Sequence, residues 1–154
     1  MKGERATRSH SFALELPAAE AFVLFEPEGE RLWAHGWDPE YIHPADGRTE
    51  AGMVFTTRHG DAATLWTLTR HEPAAGLVEY VRFTPCSTVA SVMVQCSPLG
   101  ERRARVTVVY VYTGLSEAGN AWVRRMDDAH YRETIAEWER SISAALSRGA
   151  RAPR

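Results

Sequence analysis

The sequence predicts an α+β domain, a curved antiparallel sheet wrapped around one long carboxy-terminal helix, with two short helices after the first strand. Three observations carry this. Strand-like runs joined by tight turns follow one another from Met53 to Ser97 with no crossover helix between them. The run RARVTVVYVYT, Arg103 to Thr113, closes that series. A long helix-like stretch, Leu115 to Leu146, follows it.

The elements can be justified in order. Ser9 to Leu16 alternates, with Phe12, Leu14 and Leu16 on one face and Ala13 and Glu15 on the other, which is a half-buried strand. Pro17 stops the ladder and suits the first turn of a helix. Ala18, Ala21, Phe22 and Phe25 make an apolar stripe at helical spacing that ends near Pro27, and Glu28 to Trp33 adds another turn or two. Ala34 to Glu50 reads as loop, since His35-Gly36-Trp37-Asp38-Pro39, His43-Pro44 and Asp46-Gly47 are turn chemistry. The meander is Gly52 to His59, Ala63 to His71, Leu77 to Phe83, Thr88 to Cys96 and Arg103 to Thr113.

The carboxy-terminal stretch is not one straight helix. At about 100° per residue, Trp122, Met126 and Ala129 share one face, while Tyr131, Ile135, Trp138, Ile142 and Leu146 share another, almost opposite. A break at Met126–Asp128 resolves the conflict. Ser116 caps a short first helix, and Asp127 caps a second with Asp128 near its positive end. Met126 and Tyr131 then form a hydrophobic staple. The second helix, Asp127 to Ser147, is about 30 Å long. On its solvated face Glu133 and Glu137 repel, and Glu133 is expected to be too far from Arg140 to pair.

Composition narrows the function classes. A chain of 154 residues suits one domain with a sizeable core, read as residues 1–147, with 148–154 a flexible tail carrying Arg148, Arg151 and Arg154. The net charge of −2 offers no global field for nucleic acid. No apolar run is long enough to insert in a membrane, and MKGERATRSH lacks the apolar core of a secretory signal. Cys86 and Cys96 are placed at and within one strand of a hairpin, where they cannot meet, so a reduced, cytoplasmic protein is expected.

Several segments resemble bacterial members of the START-related (SRPBCC, Bet v 1-like) superfamily, of the kind described as polyketide cyclase/dehydrase-like. They are Leu24-Phe25-Glu26-Pro27-Glu28-Gly29-Glu30 with Trp33, Gly36-Trp37-Asp38-Pro39-Glu40, Gly52-Met53-Val54-Phe55-Thr56-Thr57, and Leu115-Ser116-Glu117-Ala118-Gly119-Asn120 with Trp138-Glu139. That superfamily includes activators of the Hsp90 ATPase. The resemblance covers nearly the whole chain and implies the helix-grip fold, with a cavity between sheet and long helix for lipids, hormones, aromatic polyketides or other apolar molecules. It brings no shared catalytic set. The implied function is binding of a small hydrophobic or aromatic molecule, with a polyketide cyclase- or dehydratase-like enzyme as the alternative.

Strand alternation nominates the lining. With Glu79 facing water, Val78, Tyr80 and Arg82 point inward. Arg82 either meets an anionic ligand group or snorkels to water from the strand end. Tyr110 and Tyr112 share a face with Val106 and Val108, and either enter the cavity or form ordinary aromatic core. Phe55 and Trp66 are core first and cavity wall second. Trp33 and Trp37 either lie over the cavity mouth as a lid or, for Trp33, anchor the short helix. Met126 and Tyr131 stand at the joint, where the mouth is expected. For acid–base work the candidates are His130, Tyr110 and Tyr80, with Arg82 polarising a carbonyl; for His130 the alternative is a partly exposed residue near the helix cap. His35, His43 or His130 with Asp38 are the residues a metal would draw on, but no HExxH or CxxC spacing is present, and no metal or cofactor is expected. Nucleic acid is not an expected partner, and homodimerisation stays open.

Overall fold

The computed structural model describes residues 1–151. Seven strands form a single sheet in the order β1-β7-β6-β5-β4-β3-β2, and every neighbouring pair is antiparallel. The strands are β1 (Arg5–Leu14), β2 (Glu40–His43), β3 (Val54–His59), β4 (Ala62–Glu72), β5 (Leu77–Thr84), β6 (Thr88–Pro98) and β7 (Ala104–Gly114). The helices are α1 (Ala18–Val23), α2 (Pro27–Glu30), α3 (Glu117–Arg125) and α4 (Asp128–Ser147). This is the helix-grip arrangement, with α4 gripped by the sheet.

Two boundaries differ from the sequence reading. The first strand starts at Arg5 rather than Ser9 and pairs with β7 from Arg5↔Thr113 to Leu14↔Ala104. Its first half has Ala6 as its one apolar residue, too few for hydrophobic alternation to reveal it. Within the expected loop, Glu40–His43 forms the edge strand β2, whose side chains are exposed apart from half-buried Tyr41. A short edge strand needs only ladder hydrogen bonds, which leave no apolar pattern. Pro27 begins α2 rather than merely ending α1, a position where its missing N–H costs nothing.

The break in the carboxy-terminal helix is where the two stripes place it. Ser116 accepts a hydrogen bond from the Gly119 N–H at 3.0 Å, and Asp127 accepts one from the His130 N–H at 2.8 Å. Met126 and Tyr131, flanking the second cap, are both buried. Tyr131, Ile135 and Ile142 are then almost fully inaccessible, each such burial being worth about 1.5–3 kcal/mol. Tyr131 also donates its hydroxyl to the Val108 carbonyl of β7 at 2.7 Å. One expectation for the outer face fails: the Arg140 guanidinium reaches Glu133 at 2.6 Å. Two long side chains lean toward each other across two helical turns. Both are exposed, so the pair contributes little.

Other family-like segments carry structural tasks. Buried Asn120 accepts from the Glu4 N–H at 2.8 Å and donates to the Lys2 carbonyl at 3.1 Å, tying the amino terminus to α3. Cys86 is exposed and Cys96 buried, and both are free. No helix among the described residues is long and apolar enough to cross a membrane. Of the carboxy-terminal tail, residues 152–154 lie outside the described residues, so the expected flexibility of that end is not addressed there.

Candidate functional site

A cavity of about 150 Å³ lies between the sheet and α4. Its wall is formed by Trp33, Ala34 and Trp37 after α2, Trp66 of β4, Tyr80 of β5, Val92 and Val94 of β6, Tyr110 of β7 and Trp138 of α4. One acidic group joins them, Glu30 at the end of α2.

Each ring is held by a local device. Trp33 donates its indole N–H to the Leu24 carbonyl and Trp37 to the Pro27 carbonyl, both at 2.8 Å. The segment after α2 is therefore pinned to the α1–α2 corner. Trp66 donates to the Thr57 hydroxyl at 2.9 Å and stacks on Phe55 with ring centroids 5.9 Å apart. The rings make two touching runs: Trp37–Trp66–Tyr80, at 5.3 and 6.0 Å, and Trp33–Trp138–Tyr110, at 5.5 and 6.2 Å. Edge-to-face and tilted contacts of this kind stabilise beyond area burial.

Glu30 arrives in the wall because α2 packs tightly on α1. Gly29 is buried, and a Cβ there would strike the backbone carbonyl of Val23. Close approach at Gly29 turns the next side chain toward the cavity. Among the described residues no hydrogen bond or counter-charge acts on the carboxyl of half-buried Glu30. Desolvation alone raises it well above the usual carboxylate range.

Two phenols share the cavity with it and differ in availability. Tyr80 donates its hydroxyl to the buried Phe25 carbonyl at 2.6 Å. Tyr110 has no such commitment. Burial pushes its phenol up to about 12, with Arg82 pulling the opposite way and Glu30 adding to the rise. Among the described residues, Glu30 and Tyr110 thus carry the wall oxygens that make no side-chain hydrogen bond.

Arg82 points inward, as alternation requires. Its guanidinium carbon lies 5.7, 5.9 and 5.8 Å from the ring centroids of Tyr110, Tyr112 and Trp122. Its buried Nε has no hydrogen-bond partner. The charge is accommodated by ring quadrupoles, just beyond the cavity wall.

The structure brings Trp37, Trp66, Tyr80 and Tyr110 together around the cavity. Phe55, fully buried, backs Trp66 and Trp37, and Tyr112 stacks behind Tyr110 at 5.0 Å. Met126, Tyr131 and His130 are not part of the wall. His130 is exposed and borders a separate surface depression with Trp122, Arg125, Met126 and Asp127. The cavity therefore adjoins the middle of α4, at Trp138, rather than the α3–α4 joint. Sequence reasoning missed Glu30. The available signal was its position three residues before Trp33, a spacing that puts the two on one helical face. Among the described residues no group of three or more His, Cys, Asp or Glu is placed to hold a metal.

No family model and no curated protein matches the sequence. Solved structures share its fold. Norcoclaurine synthase from Thalictrum flavum, in complex with dopamine and hydroxybenzaldehyde, superposes with a TM-score of 0.67 at 10% identity over 97% of this chain and 90% of that one. The ZhuI aromatase/cyclase from a Streptomyces species gives 0.67 at 13% identity over 96% and 97%. The di-domain ARO/CYC BexL gives 0.66 at 16% identity over 90% of this chain and 46% of that one. The resemblance drawn from local sequence segments thus extends to the whole fold.

Proposed function

We propose that this chain binds a small, largely apolar ligand in the cavity between the sheet and α4. The observation that carries the proposal is an aromatic-walled cavity of about 150 Å³ holding one uncompensated carboxyl and one free phenol. Ligand sites are mostly apolar with a few polar groups that fix orientation. An engineered apolar cavity of about this volume accepts benzene, whereas drug-sized ligands occupy roughly 300–1,000 Å³. The ligand is therefore about one ring in size, and a fused multi-ring polyketide does not fit this conformation.

One observation favours a second reading, a cyclase- or dehydratase-like enzyme. A carboxyl held above its usual range beside a phenol is the arrangement that general acid–base chemistry uses. In that reading Glu30, rather than the exposed His130, would move the proton. The fold is shared with proteins described as a synthase and as aromatase/cyclases, which supports the enzyme reading by analogy of fold alone.

Four tryptophans line the cavity, so intrinsic fluorescence reports its occupancy directly. Titration with p-cresol is expected to change the emission and saturate, and the response should weaken in Trp138→Ala and Trp66→Ala. Saturable binding unaffected by either substitution would place the ligand elsewhere.

A further inference from the structure

Glu30 and the rings around it form an unusual combination. The wall contains four indoles and two phenols, and a single acidic side chain. Aromatic faces carry negative potential and attract cations. An ionised carboxylate in the same box adds a full negative charge, and among the described residues no side chain pairs with it. The Arg82 guanidinium, outside the wall, lies over Tyr110, Tyr112 and Trp122. A neutral ligand leaves the carboxyl uncompensated. An anionic ligand is repelled by both rings and carboxylate. A compact organic cation satisfies both at once.

We propose that the cavity recognises a small organic ammonium ion, its charge beside Glu30 and its C–H surface against Trp33, Trp37, Trp66 and Trp138. This rests on the reading that the cavity is the ligand site and names the chemical class of the ligand. The volume of about 150 Å³ admits a head of quaternary-ammonium size. The ionisable groups facing Glu30 are Tyr80 from β5 and Tyr110 from β7. Tyr80 also feels Glu26 and Tyr41, and Tyr110 feels Arg82. Both phenols stay protonated at neutral pH, so Glu30 is the group whose charge responds to the ligand. In the empty cavity Glu30 retains its proton to a higher pH than an ordinary carboxyl does. An ammonium ion beside it favours the carboxylate, so binding lowers the pH at which Glu30 gives up its proton while carrying positive charge into the cavity.

The test compares choline with neohexyl alcohol, its uncharged isostere with a quaternary carbon in place of the nitrogen. Tryptophan fluorescence and calorimetry on the full chain measure both. Choline is expected to bind about tenfold or more tightly than the alcohol, the scale set by cation–π contacts and a desolvated charge pair. Glu30→Gln removes most of that preference. As a second measurement independent of any variant, calorimetry across a pH series in two buffers of different ionisation enthalpy should register a window of proton release with choline and none with the alcohol. Equal binding of the two compounds, with the alcohol still lost in Trp66→Ala, overturns the cation inference and leaves the cavity reading standing. Binding of neither compound, nor of p-cresol, overturns both. A choline preference that survives Glu30→Gln, or choline binding without proton release anywhere in the pH series, removes Glu30 from the role.

Discussion

The hydroxyl of Tyr80 ties the β5 side of the cavity wall to the α1–α2 corner, and Tyr80→Phe isolates that bond. Tyr80 is 3% exposed, and its hydroxyl donates to the Phe25 carbonyl at 2.6 Å in a buried setting. The substitution deletes one oxygen, preserves the ring contacts with Phe55 and Trp66, and leaves the Phe25 carbonyl without this donor. Removing one partner of a buried pair costs about 1–3 kcal/mol, because the remaining group keeps its full desolvation penalty. For a chain of 154 residues each kcal/mol moves Tm by roughly 2–4 °C. Thermal unfolding followed by near-ultraviolet circular dichroism should therefore show a fall in Tm of roughly 2–12 °C. Tyr131→Phe provides the internal comparison. Its hydroxyl also donates to a carbonyl, that of Val108, at 2.7 Å. But Val108 lies inside β7, paired on both sides, and its carbonyl retains ladder hydrogen bonding. The Tyr131 change should cost less than the Tyr80 change. A Tyr80→Phe protein with unaltered Tm, or a larger loss in Tyr131→Phe, would refute the reasoning.

Four further outcomes follow from the same geometry. Glu30 has its carboxyl raised in the folded state, so the native protein binds more protons than the unfolded chain from about pH 4.3 upward. Its contribution is fully present below that pH and is lost as pH rises through the raised value; Glu30→Gln should match wild-type Tm at low pH and exceed it progressively above. All five tyrosines of the chain have raised phenols, so absorbance titration of the native protein should detect little phenolate at pH 10, and a normal titration there would contradict the buried placement. Only one thiol should react with Ellman's reagent without denaturant, since Cys86 is exposed while Cys96 is buried and pushed up to about 12. Gly29→Ala forces α2 away from the Val23 carbonyl; overpacking of this kind costs about 1–3 kcal/mol, and the displaced Glu30 should weaken choline binding more than p-cresol binding.

Particular residues show why some of this molecule was legible in advance. Tyr131, Ile135, Trp138 and Ile142 repeat at helical spacing, and Trp122 with Met126 repeats out of phase. Two amphipathic stripes on one helix demand a break, and Asp127 supplies its cap. Val78, Tyr80 and Arg82 alternate with Glu79, and the pleat has no other way to orient them. Such periodicities are local consequences of backbone geometry. The edge strand Glu40–His43 escaped notice because its ladder is made by backbone atoms that every residue possesses. The Glu133–Arg140 pair escaped it because side-chain reach along a helix is not set by spacing alone.

The amino-acid sequence by itself determined the container: which faces are apolar, where the long helix begins, and which strand residues point inward. Those properties depend on neighbours a few positions away. The tertiary structure decided the contents of the wall. Glu30, Trp66, Tyr110 and Trp138 come from four different elements and meet only because the sheet curves around α4 and α2 packs against α1 at Gly29. The same folding half-buries Glu30 in that wall without giving it a partner among the described residues. A carboxyl that reads as one more surface acid in the chain thereby becomes the one uncompensated acid in an aromatic box, because desolvation is a property of the assembled fold.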